Sequence, residues 1–488
     1  MSNAPSWGRL IQRNRSIHPF DARHSKAKSQ SILPYGNGRS YGDSCHNDAG
    51  SLVHLAHQKS VLAFDRETGT MTAEAGILLR DILQQIQGTG WFLPVVPGTK
   101  FVTLGGAIAN DIHGKNHEKR GTFGRHVESL TLWRSTGELL TCSATQNTEL
   151  FEATISGMGL TGVIVSAQFK LMNVPSHFVE ETNTPFANLD AYFDSEEDWA
   201  DEHEYSVAWV DSLSHGKALG RGISITGKHI EDKAEANYGD PRWTVPLTPP
   251  VPLVSGLPLK LFNAAYFHGK KRKPEPHIST PDSFFFPLDA VAGWNRLYGP
   301  RGLFQHQCVI PLAAARQVVP AMLRTSHEFG QGSFLTVLKR FGAHCSPGHM
   351  SFPQPGYTLT LDFANRGAAT RELLNRLDAI TLDVGGRTNP YKDGRMSAET
   401  FQRGYADWQK LEELRDPAIQ SDFWRRVTQP LRQRRITPAP SIAAPSIAAL
   451  PGSAKKPVNQ AAQPGVQKTQ LHLPRETRPA RAASMGIK

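Results

Sequence analysis

Hydrophobic residues in the first third of the chain fall in short runs separated by turn residues. The runs at 61–64 and 71–75 flank Asp65-Arg66-Glu67-Thr68-Gly69, the composition of a β-hairpin. Leu78, Leu79, Ile82, Leu83 and Ile86 then recur at helical spacing and stop at Gly88 and Gly90, which predicts a short amphipathic helix. Residues 127–132, 139–142 and 162–171 predict further strands. Around Pro175 the pattern shifts. Beyond it, strands are expected at 206–210, 305–310, 333–339 and 358–363, and helices at 313–329 and 368–383. Elements in that order build a sheet covered by helices on one side, an α+β chain.

Two glycine-rich stretches interrupt this pattern. Gly36-Asn37-Gly38-Arg39-Ser40-Tyr41-Gly42-Asp43 offers backbone that turns sharply and aims several N–H groups at one anion. The second runs from Pro97-Gly98-Thr99 through Thr103-Leu104-Gly105-Gly106-Ala107 to Asn110-Asp111-Ile112-His113-Gly114. Within it Gly105 and Gly106 open a close-packed helix whose N-terminus suits phosphate. Two such loops fit a ligand with a long pyrophosphate body. The spacing of Gly36, Gly38 and Gly42 is not that of a nicotinamide-dinucleotide fingerprint.

The 488 residues exceed one ordinary core, so two domains and extensions are expected. Net charge is +10, but residues 437–488 carry seven Lys and Arg against Glu476, so most of the basicity belongs to that tail and argues little for nucleic acid. The tail repeats Pro440-Ser441-Ile442-Ala443-Ala444 directly as Pro445-Ser446-Ile447-Ala448-Ala449 and then loses periodicity, which predicts disorder. Cys45, Cys142, Cys308 and Cys345 are far apart, so neither a disulfide framework nor a metal site is expected, and a reducing, cytoplasmic setting fits. No secretory leader and no membrane span is expected. Residues 245–267 are apolar yet hold prolines at 246, 249, 250, 252 and 258, which predicts an irregular linker; Lys270-Lys271-Arg272-Lys273 follows. That segment reads either as a solvated surface loop or as a contact with an anionic bilayer.

The glycine stretches are accompanied by Asp111-Ile112-His113-Gly114-Lys115-Asn116-His117, Gly159-Leu160-Thr161-Gly162, Trp294-Asn295-Arg296, Tyr298-Gly299-Pro300, Ser351-Phe352-Pro353 and Ala398-Glu399-Thr400-Phe401. Together, over residues 7 to 430, they resemble the flavoprotein oxidases of the vanillyl-alcohol-oxidase or PCMH type. The resemblance implies a two-domain PCMH-type FAD-binding fold: an FAD-binding domain at 7–176, a mixed-sheet substrate (cap) domain at 177–386, and a return to the first domain at 387–436. It also implies an FAD-dependent oxidoreductase acting on CH–OH groups. Within the family the likeness is to the branch that oxidises C2 of a polyprenyl-phosphoryl pentose, with a short-chain reductase as partner and a place on the inner face of the membrane. A soluble aldonolactone or alditol oxidase is the alternative, and a flavin-binding partner without turnover a third reading.

Oxidation of an alcohol by a flavin needs an acceptor for the hydride, a base for the hydroxyl proton, and positive charge where the reduced ring turns negative. The resemblance assigns FAD binding to Gly36, Asn37, Gly38, Arg39, Ser40, Tyr41, Gly42, Asp43, Gly98, Thr103, Gly105, Gly106, Asn110, His113, Ile164 and Asn389. Many relatives place at Arg39 a histidine bonded covalently to the flavin; arginine cannot make that bond, so the FAD is expected to be non-covalent. Lys392, His113 and Tyr41 are the expected catalytic set. Trp209, Tyr298, Gln305, Gln307, Lys339 and Thr360 join Lys392 as expected substrate contacts, Gln305 and Gln307 sharing one strand face by two-residue alternation. Asn389 stands where a tyrosine is common, and Thr360 where mycobacterial relatives carry a cysteine.

Overall fold

The computed structural model describes residues 4–11, 13–21, 31–200, 202–232, 234–272 and 275–436; the tail at 437–488 lies outside them. The hairpin and the three strands predicted after it form one antiparallel sheet. Its order is Val61–Asp65, Thr70–Glu74, Val163–Lys170, Val127–Trp133 and Leu139–Ser143. A parallel three-stranded sheet of Ile17–Pro19, Ser51–His54 and Ile32–Tyr35 supplies the strand that leads into the first glycine loop. Helix Leu79–Ile86 buries Leu79, Ile82, Leu83 and Ile86, the predicted stripe. Helix Leu104–Ala109 begins at Thr103, whose hydroxyl accepts the Gly106 N–H at 3.1 Å and so caps the helix. Gly105 lets this helix approach the neighbouring strand, since a Cβ there would lie only 3.1 Å from the Ala75 Cβ.

The larger sheet has eight strands and is antiparallel at every pairing rather than mixed. The order is His277–Ser279, Val179–Phe186, Gly222–His229, Tyr205–Val210, Thr336–Phe341, Gly356–Ala364, Leu303–Ile310 and Arg387–Thr388. Alternation sorts its two faces. Phe304, Cys308, Ile310, Leu338, Leu359, Leu361 and Phe363 pack with helices Leu189–Ala200, Leu312–Glu328 and Ala368–Asp383 in one apolar layer. Gln305, Gln307, Lys339 and Thr360 point the other way, toward the glycine loops. Beyond the last strand, Phe401, Tyr405, Trp408 and Trp424 return to the core of the smaller sheets, which Phe284, Phe285 and Phe341 also join.

Residues 245–267, expected to be irregular, belong from Gly256 onward to a helix, Gly256–Lys271. Four of the five prolines precede it. Pro258 sits in its first turn, where a missing N–H interrupts no intrahelical bond.

Candidate active site

The polar face of the large sheet and the two glycine loops enclose a cavity of about 640 Å³. Gly36 to Tyr41, Gly98, Thr103, Gly105, Gly106, Asn110 and Ile164 line one side. Trp209, Gln305, Gln307, Lys339 and Thr360 line another, with His113, Asn389 and Lys392 between them. Gly38 turns the first loop at φ +62°, a conformation that favours glycine. At Gly98 a Cβ would meet no protein atom within 4 Å, so this backbone fronts open space. The Arg39 guanidinium lies 4.5 Å from the centre of the Trp7 ring, and its buried Nε has no protein partner. Two glycine-walled loops and an orphaned buried donor on one cavity fit a dinucleotide. The helix start, expected to suit phosphate, adds no free donor, because the N–H groups of Leu104, Gly105 and Gly106 already donate to the Ile77 and Ala75 carbonyls and the Thr103 hydroxyl.

Side chains converge at the other end. Lys392 Nζ stands 4.4 Å from the centre of the Tyr41 ring. Gln307 Nε2 lies 3.1 Å from His113 Nε2, and Lys339 Nζ 3.0 Å from His113 Nδ1. Lys339 also donates to the Gly114 carbonyl at 3.0 Å, and Asn389 Nδ2 donates to Gln307 Oε1 at 2.9 Å. Lys115, on the same wall, donates to the Phe284 carbonyl.

This site is short of counter-charge. Burial lowers Lys392 to about 8, with Asp362 opposing the fall. Burial lowers Lys339 to about 7, helped by Lys115 and Lys392, and lowers Lys115 to about 8. His113 is pushed well below its ordinary value by burial and then by Lys339. A protonated ring would direct an N–H at each of two donors and a neutral one at only one of them, so the neutral imidazole is favoured, accepting at a single nitrogen. Asp362 accepts from Gln305 Nε2 at 2.6 Å, and burial lifts its carboxyl to about 7. Burial leaves Lys392, Lys339 and Lys115 easier to neutralise than free lysines, and an anion beside them would restore their charged form.

Three expected site residues lie behind the wall. A Cβ on Gly42 would fall 1.5 Å from the Asp393 carbonyl oxygen, so this glycine permits two loops to touch. Asp43 is bidentate to Arg426 at 2.8 and 2.9 Å, and Arg426 also reaches Asp393 at 3.4 Å. Gly42 and Asp43 thus fasten the first glycine loop to the loop of Lys392 from outside the cavity. Tyr298 is fully buried beside Trp294 and Tyr41 and supports the wall from behind instead of meeting substrate. Cys45 does line the cavity, and burial pushes its thiol up to about 12.

The structure adds residues that sequence patterns do not show. Trp7 pairs its backbone N–H with the Ser40 carbonyl at 2.7 Å, bringing the N-terminal segment to the cavity without any periodic signal. Tyr266 reaches the wall from the unexpected helix. Asp362 was accessible by alternation, two residues beyond Thr360 on the same strand face.

The family of FAD binding domains matches residues 22–143. Decaprenylphosphoryl-β-D-ribose oxidase of Mycolicibacterium smegmatis is 31% identical over 423 residues, covering 83% of this chain and 91% of that protein. L-gulonolactone oxidase of Mus musculus is 31% identical over 179 residues, 36% of this chain and 40% of that protein. With the glycine-walled cavity in place, these similarities define an FAD-dependent oxidoreductase of the PCMH type, and the chain belongs to the family of decaprenylphosphoryl-β-D-ribose oxidase.

Proposed function

We propose that the enzyme oxidises a secondary alcohol of a sugar, at C2 of a polyprenyl-phosphoryl pentose, as the first half of an epimerisation completed by a separate short-chain reductase. The observation that supports this most is the composition of the sheet face over the cavity. Amides suited to sugar hydroxyls (Gln305, Gln307) stand beside cations suited to a phosphate (Lys339, Lys115), and aromatic rings (Trp209, Tyr266) continue the wall.

When bound, the flavin supplies the acceptor for a hydride. The glycine loops and Arg39 hold and orient it. Lys392, beside Tyr41, brings positive charge to the end of the cavity where Gln307 and His113 converge, and a preorganised charge in a buried site stabilises developing negative charge far better than water does. Neutral His113 stands between Gln307 and Lys339 and accepts from one of them. Gln305 is held in turn by Asp362.

A soluble aldonolactone or alditol oxidase is the second reading, favoured by the similarity to L-gulonolactone oxidase. Anaerobic mixing with a short-chain prenyl-phosphoryl ribose, with aldonolactones and with alditols, following loss of oxidised-flavin absorbance, separates the two. Bleaching by the prenyl-phosphoryl pentose is expected. Bleaching by aldonolactones or alditols alone would replace the first reading with the second.

A further inference from the structure

Seven of the eleven large apolar side chains that are exposed among the described residues lie between 243 and 262: Trp243, Leu247, Val251, Leu253, Leu257, Leu261 and Phe262. Leu247 is 78% exposed, Leu257 68% and Leu261 63%. Concentration on one segment, rather than exposure of single residues, marks an interaction surface. Helix Gly256–Lys271 shows why the face is outward. Leu259, Asn263 and Phe267 are its buried stripe, fixed by Asn263 Nδ2 donating to Asp211 at 2.8 Å and Lys270 Nζ donating to Glu181 at 2.7 Å. Leu257 and Leu261 therefore stand on the opposite face, continued by exposed Ala265 and His268. Residues 241–272 contain no Asp or Glu, while Arg242, Lys260, Lys271 and Arg272 are exposed and basic. No described helix is long and apolar enough to cross a membrane.

The face is continuous with the cavity. Phe262 stacks on Tyr266 at 6.1 Å and contacts Phe334 at 4.9 Å, and Tyr266 packs on Trp209 at 4.7 Å; Tyr266 and Trp209 both line the cavity. An apolar chain leaving the cavity beside Trp209 and Tyr266 would meet Phe262 and then the exposed leucines of the helix.

We propose that this face, built from residues 243–262 and the outer side of helix Gly256–Lys271, docks on an anionic phospholipid bilayer, so that a lipid-linked substrate enters the cavity along Phe262 and Tyr266 with its hydrocarbon chain still in the membrane. Leucines provide shallow insertion, and the basic residues around them provide attraction to anionic headgroups. Its direction rests on the substrate reading above, but the docking is measured without substrate.

The test uses the full-length, FAD-loaded protein and sedimentation with vesicles of phosphatidylcholine, with and without phosphatidylglycerol. Wild type is expected to bind the anionic vesicles at least tenfold more tightly than the neutral ones. Leu257→Ser with Leu261→Ser should lose at least tenfold of that binding at unchanged flavin content. Lys260→Gln with Lys271→Gln and Arg272→Gln should lose the preference for anionic lipid. Absence of binding by wild type, or equal binding by both variants, which would assign the attraction to the basic tail, overturns the proposal. So does a dimer that the leucine variants split without any change in lipid binding, since a second copy would then be the occupant. Flavin reduction by a water-soluble short-prenyl substrate without vesicles tests the substrate reading separately, and survives failure of the docking.

Discussion

Lys392→Met should make the flavin-free protein more stable and the loaded enzyme nearly inert. Burial lowers Lys392 from 10.5 to about 8, and at about 1.4 kcal/mol per pK unit that shift is roughly 3 kcal/mol spent on holding the ammonium in place. The side chain lines the cavity, where solvent screens part of the cost, and its contact with Tyr41 offsets roughly 0.5–1 kcal/mol more. A net gain of about 1–2 kcal/mol is left for methionine, a shift of about 2 °C in Tm for a body of this size. The sign follows from linkage. The folded protein holds the proton less tightly than the unfolded chain, so the penalty is fully present below pH 8 and fades as pH rises toward 10.5. Thermal melts of flavin-free wild type and variant from pH 6 to 10.5 should therefore start apart and converge. In stopped-flow mixing of the loaded enzymes, flavin reduction by substrate should slow by about 100- to 1000-fold, the effect typical of removing one preorganised charge or donor. A variant that melts below wild type at pH 7, a difference that does not change with pH, or reduction within tenfold of wild type would each refute the reasoning.

Acid precipitation should release all flavin into the supernatant, because Arg39 offers no covalent link; yellow colour in the pellet would contradict this. Gly42→Ala should yield flavin-poor protein, since its Cβ would enter the Asp393 carbonyl at 1.5 Å and force the two loops apart; the ratio of flavin to protein after purification reads it out. Burial would lower His306, but Asp378 at 3.2 Å overrides that and raises it to about 9. His306→Gln should cost roughly 3 kcal/mol in denaturant unfolding at pH 6. A raised pKa contributes fully below pH 6.5 and is lost through pH 9, so the deficit should shrink over that window and stay constant only if the pair is not ionised.

Much of the site is legible in the chain because its signals are local. Glycines that must turn, as at Gly38, or leave room, as at Gly98, declare themselves in short stretches, and strand alternation alone places Gln305 and Gln307 on one face. Position defeats composition elsewhere. Five prolines in residues 245–267 suggest an irregular segment, yet only Pro258 falls within the helix, and it falls where it does no harm. Gly42 and Asp43 read as cofactor contacts because they continue the loop; their partners Asp393 and Arg426 are about 350 and 380 residues away, and no periodicity spans such distances. Trp7 and Tyr266 reach the cavity through tertiary packing for the same reason.

The clamp of Arg426 on Asp43 and Asp393 has a consequence for biosynthesis. The cradle for the cofactor opens in the first tenth of the chain, but it is locked by a residue near the end of the folded body. Nascent chains stalled before Arg426 has left the ribosome should stay flavin-free, and flavin should join only a nearly finished polypeptide; uptake by shorter stalled chains would show that the lock is dispensable.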